Sequence, residues 1–261
     1  MRVRFLVDLS DGHHGGVGGR EVFLRYCTVA GDEVATTREQ ARADLIVEGL
    51  PVRVPPTYRA QRSYPGLFWA ATNDRTLVYE SLLELDRLWL ADFDPAVVKI
   101  GTQPFQITGR EGADLRAHVP DLLLVHADHS VTVVDVKPSS MLDKPRVRAQ
   151  FEWTRGLCRD KGWGYEVFTG GDATVLRNIK LFAVGRRPQR LPDGCLEEAR
   201  ARLGGREIML GKVLAHRPVS CDEEDWHVAV FALVWSGEII LDLTQPVDSE
   251  TLLRTRVKAS A

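Results

Sequence analysis

Between positions 118 and 140 the chain reads HVPDLLLVHADHSVTVVDVKPSS, two apolar runs joined by a short polar turn, and this pattern predicts a β-hairpin. Upstream, TLVYESLLELDRLWLADFD repeats apolar residues at helical spacing. Leu82, Leu85 and Trp89, and likewise Leu83 and Leu90, predict an amphipathic helix over 79–91 that carries Glu80, Glu84 and Arg87 on one face and is closed by Pro95. Strands follow over 97–101 and 104–108, then a polar turn, GREGAD, and then the hairpin. Beyond it, Asp143 is placed to cap a helix with Lys144 and Pro145 in its first turn and a stop at Gly162. A strand over 165–169 and a helix over 174–184 complete this stretch. Helix, strands, helix, strand, helix is the order of an α/β core with a mixed sheet.

The flanking regions read differently. Residues 1–50 hold strands over 3–8 and 21–29 around GHHGGVGG, a loop lacking the spaced glycines and Lys-Ser/Thr ending of a phosphate cradle. Residues 51–71 are rich in Pro and aromatics, as in an extended segment wrapped on a core. RRPQRLPDG, 186–194, has the composition of a linker. Three helices over 195–203, 207–215 and 222–235 and a strand pair then give the pattern of a winged helix, its third helix burying Trp226, Val230, Leu233 and Val234. The expected domains are an N-terminal extension (1–50), an α/β domain (51–185), the linker, and a winged-helix-like α+β domain (195–261).

Composition narrows the functional classes. A hydrophobic fraction of 44% over 261 residues can fill a sizeable core. No run approaches the ~18–20 apolar residues of a membrane span, and the N-terminal apolar stretch is too short for a signal peptide, so a cytoplasmic protein is expected. Four cysteines without a CxxC pair suggest free buried thiols. The basic residues are 27 Arg and 7 Lys, a bias that fits first a GC-rich bacterial genome and second phosphate binding. At a net charge of −2, nucleic-acid binding must rest on local patches. One holds Arg53, Arg59, Arg62 and Arg75; another holds Lys144, Arg146, Arg148, Arg155, Arg159 and Lys161, which a solvated helix face explains equally well. The segment 195–261 carries 8 basic against 11 acidic residues, which favours protein contact over DNA reading.

The hairpin holds the candidate chemistry. Asp135 and Lys137 alternate onto one face of their strand. Asp121 joins them only if the connecting loop has an odd number of residues, three or five, because a one-residue slip reverses the face. Two buried carboxylates repel unless a cation lies between them, and hard oxygen donors select Mg²⁺, with Mn²⁺ as substitute. Lys137 is placed to orient a water or to stabilise the charge of a phosphoryl transition state. Glu80, on the preceding helix, supplies a further ligand or water-positioning group.

Pro-Asp on one strand, Asp-Val-Lys on the next and a Glu on an earlier helix have the arrangement of the PD-(D/E)xK, restriction-endonuclease-like nuclease fold. Further, PPTYRAQRSYPGLFWAATNDRTLVYESLLELDRLWLADFDPAVVKIGTQPF, HVPDLLLV and VVDVKP resemble the TnsA-like endonuclease subunits of heteromeric transposases over about 51–170, and FALVWSGEIILDLTQPV is similar to that family's winged-helix tail. The resemblance implies Glu80, Asp121 and Asp135 as catalytic metal ligands and Lys137 as the catalytic lysine, Asp135 falling where members vary between an acid and Gln. It implies hydrolysis of one strand at transposon ends in double-stranded DNA, with an integrase-type transposase subunit and an ATPase regulator as partners. Arg59, Arg62, Lys144, Arg146 and Arg148 are the candidate DNA contacts. A stand-alone defence or restriction-type nuclease, and an inert DNA-binding or assembly module, are the alternative readings.

Overall fold

The computed structural model describes residues 3–5, 22–53, 64–111 and 114–256. The chain forms two compact units, Met1–Asp92 with Ala96–Gly170, and Phe93–Pro95 with Gly171–Ala261. Along the first unit run β1 (Val3–Phe5), β2 (Val22–Cys27), β3 (Glu33–Thr37), α1 (Ala43–Val47), β4 (Gly66–Ala70), β5 (Arg75–Tyr79), α2 (Leu82–Phe93), β6 (Val97–Thr102), β7 (Gln106–Glu111), β8 (Asp114–His118), β9 (Leu122–His126), β10 (Val131–Val136), α3 (Pro145–Lys161) and β11 (Gly164–Phe168).

The predicted hairpin, β9–β10, lies at the centre of a mixed sheet ordered β11-β10-β9-β6. Alternation along β10 divides its side chains between two cores. Val133 packs with Leu123, with Trp153, Leu157 and Cys158 of α3, and with Val22, Leu24 and Tyr26 of β2. Val134 and Val136 pack with Leu122 and Leu124, and with Leu88 and Ala91 of α2. Covered on both faces, β9 needs no polar alternation, which is why it reads as an unbroken LLLV run. β10 and β11 are parallel, so a crossover is required, and α3 provides it.

Local chemistry sets the element ends. α2 starts after β5 and Ser81, whose Oγ accepts from Glu84 N at 3.2 Å while Glu84 Oε1 accepts from that hydroxyl at 2.9 Å; the helix therefore begins three residues later than its apolar periodicity suggests. α3 begins at Pro145, which fits a first turn because proline has no N–H to leave unpaired, and ends at Gly162 with φ 78. The expected cap from Asp143 is not made. Lys144 occupies the N-cap without a side-chain bond, and Asp143 instead accepts from Arg148 at 2.5 Å. Around the predicted GREGAD turn, β7 and β8 pair as a hairpin. β7 also pairs with β2, giving a five-stranded sheet, β1-β3-β2-β7-β8, that builds residues 22–37 into the first unit. The GHHGGVGG loop lies outside the described residues.

The second unit contains α4 (Ala173–Phe182), α5 (Cys195–Leu203), β12 (Glu207–Met209), α6 (Leu210–Ala215), α7 (Glu223–Trp235), β13 (Ile239–Ile240) and β14 (Leu252–Thr255), with strand order β12-β14-β13. α7 is capped by Asp222, which accepts from Asp225 N, and buries Trp226, Val230, Leu233 and Val234. Trp226 Nε1 donates to Val213 O at 2.9 Å, so the largest buried side chain of this unit leaves no donor unpaired. α4 belongs to this unit, whose boundary falls at 170/171, and the expected linker 186–194 includes a 3₁₀ turn at Pro188–Arg190. The expectation of free thiols fails for two of the four cysteines. Cys195 opens α5 and Cys221 precedes the α7 cap; their Cα atoms lie 5.9 Å apart and the sulfurs are bonded. Folding created that proximity across 26 residues, and no local motif announces it. Cys27 and Cys158 are free. No described helix is long and apolar enough to cross a membrane.

Candidate active site

β9 and β10 pair from Leu122↔Val134 to Val125↔Val131, and His126 N donates to Ser130 O at 2.9 Å. The loop left between them, 127–129, has three residues, with His129 at φ 67. An odd loop of this kind is the geometry that the face argument required. Carried one step past Leu122, the register sets Asp121 across from Asp135. The regular ladder ends there because the Asp121 side chain enters it: Oδ2 accepts from Val136 N at 2.6 Å, and Asp121 N donates to Val134 O at 3.1 Å. One carboxylate oxygen is thus pinned by the backbone of the neighbouring strand. Lys137 N extends the ladder on the other side by donating to Phe168 O at 2.9 Å.

Asp121, Asp135 and Lys137 open into one cleft of about 880 Å³, lined also by Arg25, Arg53, Arg116, Arg146 and His118. The three hairpin residues singled out from the sequence are therefore brought together, and arginines surround them. Of the helical basic cluster, Arg146 lines the cleft; Arg148 is tied to Asp143, and Lys144 stands at the N-cap position of α3 without a side-chain bond there. Arg59 and Arg62 lie outside the described residues.

The two aspartates have different surroundings. Asp135 is 2% exposed. His118 Nε2 lies 2.8 and 2.9 Å from its two oxygens, and Tyr165 OH donates to Oδ2 at 2.5 Å. Burial, then the Asp135 charge, drives the Tyr165 phenol upward, so it remains a proton donor. The same two causes push the Cys158 thiol up to about 12. Asp121 is crowded by charge without comparable compensation. Burial and then the Glu84 charge push its carboxyl up to about 8, Asp135 adding to the shift, while the Val136 N–H and Lys137 pull in the opposite direction.

Glu84, and not Glu80, is thus the α2 carboxylate that acts on Asp121. Glu84 is 7% exposed and accepts from Glu80 N and Ser81 Oγ, both at 2.9 Å; burial holds its carboxyl above the ordinary range. Glu80 is held by Arg53, whose Nε donates to Oε1 at 2.9 Å. Periodicity puts both glutamates on one helix face, but α2 begins at Leu82, so Glu84 is on the helix and Glu80 lies ahead of it. The Ser81-x-x-Glu84 spacing was the available signal that Glu84 turns back over the helix start. His118, three residues before Asp121, and Tyr165 were not singled out from the sequence; only tertiary folding brings both to Asp135.

A mixed sheet with two carboxylates and a lysine at the ends of adjacent strands, flanked by helices, is consistent with a nuclease fold. Residues 94–170, which span β6 to β11 and contain Asp121, Asp135 and Lys137, match the family model described as TnsA-like endonuclease N terminal. Over that segment the chain is similar to TnsA-like endonucleases, which are nucleases of the transposase type. No curated protein matches the chain.

Proposed function

We propose that the protein is a Mg²⁺-dependent DNA endonuclease, the subunit of a heteromeric transposase that hydrolyses one strand at transposon ends. The observation that carries this reading is the convergence of Asp121, Asp135 and Lys137 in an arginine-lined cleft, inside the segment matched by an endonuclease family. The donor set fits a hard divalent cation. Asp121 is a carboxyl whose ionisation is opposed by burial and by Glu84, an opposition that a bound cation removes. Among the described residues no three His, Cys, Asp or Glu side chains form a ready metal cage; Mg²⁺ is commonly held by one or two carboxylates with water and substrate phosphate.

Asp121 and Glu84 are the proposed ligands; Glu80, the helix carboxylate expected from the sequence, is held by Arg53 and remains the other candidate for that role. Mg²⁺, when bound, would supply Lewis-acid polarisation of the scissile phosphate. Lys137 faces the charge that develops on the phosphoryl oxygens and stabilises it. Asp135, with both oxygens engaged, holds His118 and Tyr165 at the cleft wall. Arg146, Arg25 and Arg116, which line the cleft, bind the DNA backbone, with Lys144 and Arg148 of the same basic segment as Arg146 as further candidates. In the second unit, the order α5-β12-α6-α7-β13-β14 with β14 central supports a winged-helix reading, and its acidic balance favours contact with the integrase-type subunit or an ATPase regulator.

The test is cleavage of end-containing duplex DNA, with the transposase partner present, in Mg²⁺ or Mn²⁺ against chelator. Asp121→Ala and Lys137→Ala are expected to lose at least about 10²-fold in rate while remaining folded, Asp121→Ala melting no lower than wild type in chelator at pH 8 because it removes a carboxyl whose ionisation the fold opposes. Wild-type cleavage that persists in chelator would reject metal dependence. Cleavage unaffected by either substitution would move the active site elsewhere.

A further inference from the structure

Gln103 lies between β6 and Pro104 and is 0% exposed. Its backbone adopts φ 41, the left-handed region that residues with a Cβ enter rarely. Its main chain links two other segments: N donates to Asp121 O at 2.9 Å, and O accepts from Val52 N at 2.9 Å. Its side chain reaches a third, Nε2 donating to Glu84 Oε2 at 3.4 Å. Its Oε1 is buried with no partner among the described residues.

We propose that Gln103 is a positioning residue that fixes Glu84 and Asp121 relative to one another for divalent-cation binding; this rests on the nuclease reading above. Two carboxylates that repel will separate unless each is held. Ser81 and the Glu80 N–H tie Glu84 to the start of α2, and Val136 N–H ties Asp121 to β10. Gln103 is the residue that touches both, through its main chain on one side and its amide on the other. A neutral donor suits this task. Lysine or arginine would neutralise the carboxylates and compete with the cation, and a carboxylate would add to the repulsion. An apolar side chain would pack there without an unpaired carbonyl oxygen. A left-handed backbone and a buried oxygen without a partner among the described residues, both on one residue beside the two groups that need positioning, indicate geometry held for function.

The experiment is calorimetric titration of the full chain with Mn²⁺ alone. Gln103→Asn keeps an amide and tolerates positive φ, but is one methylene too short to reach Glu84. Gln103→Met keeps the length and removes the donor. We expect either variant to bind Mn²⁺ at least 10-fold more weakly while melting in chelator as wild type does, and cleavage at saturating Mn²⁺ to recover to within about 3-fold. Adding Glu84→Gln should erase the difference between Gln103 and its variants. Mn²⁺ affinity within 2-fold of wild type in a folded variant would overturn the proposal and leave the nuclease reading intact. A lowered melting temperature with unchanged affinity of the folded protein would make Gln103 purely structural. Wild-type protein that binds no Mn²⁺ would overturn both.

Discussion

Asp121 has the strongest conflict of any described side chain in the cleft, and the conflict has a measurable sign. Its carboxyl, at about 3.8 in the unfolded chain, is pushed up to about 8 in the folded one. Between those values the native state retains a proton that the unfolded state has released, so stability falls as pH rises, by at most about 1.4 kcal/mol per pH unit. Metal-free protein should therefore melt higher at pH 6 than at pH 8, and the decline should level off above about 8. Asp121→Asn should flatten this dependence and melt above wild type at pH 8 in chelator. A melting series across pH 5–9 checks it, and a steep loss of stability in the Asn variant would recast Asp121 as structural. Glu84, raised mainly by burial, acts in the same direction. The sequence made Asp121, Asp135 and Lys137 legible because strand alternation and a parity argument on the loop are local rules. It did not separate Glu84 from Glu80, because the apolar periodicity extends back to position 79 while α2 starts at Leu82, leaving Glu80 ahead of the helix.

At the scale of elements, α2 shows how far that periodicity reaches. The apolar periodicity runs through Leu82, Leu85 and Trp89, but the side chains fully enclosed are Leu88 and Ala91, and Leu82 is 54% exposed. Trp89 lies at the margin, edge-on to Phe68 with ring centroids 4.9 Å apart. Leu88→Ala is expected to cost about 2–5 kcal/mol by opening a cavity against β9 and β10. Leu82→Ala should change stability by less than about 0.5 kcal/mol. Urea titrations of the two variants test this directly, and equal costs would mean that the buried face of α2 is misplaced. The helix was legible because one side must be apolar to pack. Its start was displaced because the Ser81 cap and the β4–β5 pairing, which extends to Tyr79, compete for the same residues. β8 was missed for a related reason: DLRAH lies at a sheet edge with little buried surface, so it has no apolar signature to read.

For the whole molecule, the Cys195–Cys221 bond is the feature with the most direct thermodynamic consequence. Closing a 26-residue separation restricts the unfolded chain, and losing that restriction should cost roughly 2–4 kcal/mol. Cys195→Ser with Cys221→Ser, or reduction under mild denaturant, should lower the stability of the second unit while leaving the Mn²⁺ affinity of the first unchanged. An unchanged melting profile after complete reduction would show that the bond contributes nothing. The sequence by itself determined the elements with strong local periodicity, the mixed α/β character of the core, and the pairing of carboxylates and lysine on one hairpin, because these follow from side-chain alternation and apolar spacing between near neighbours. Only the tertiary structure decided which glutamate lies beside Asp121, that Asp135 is held by His118 and Tyr165, that residues 22–37 build a sheet with β7, and that two distant cysteines meet. Each of these depends on depth or on proximity across many residues, and no local pattern in a chain encodes either.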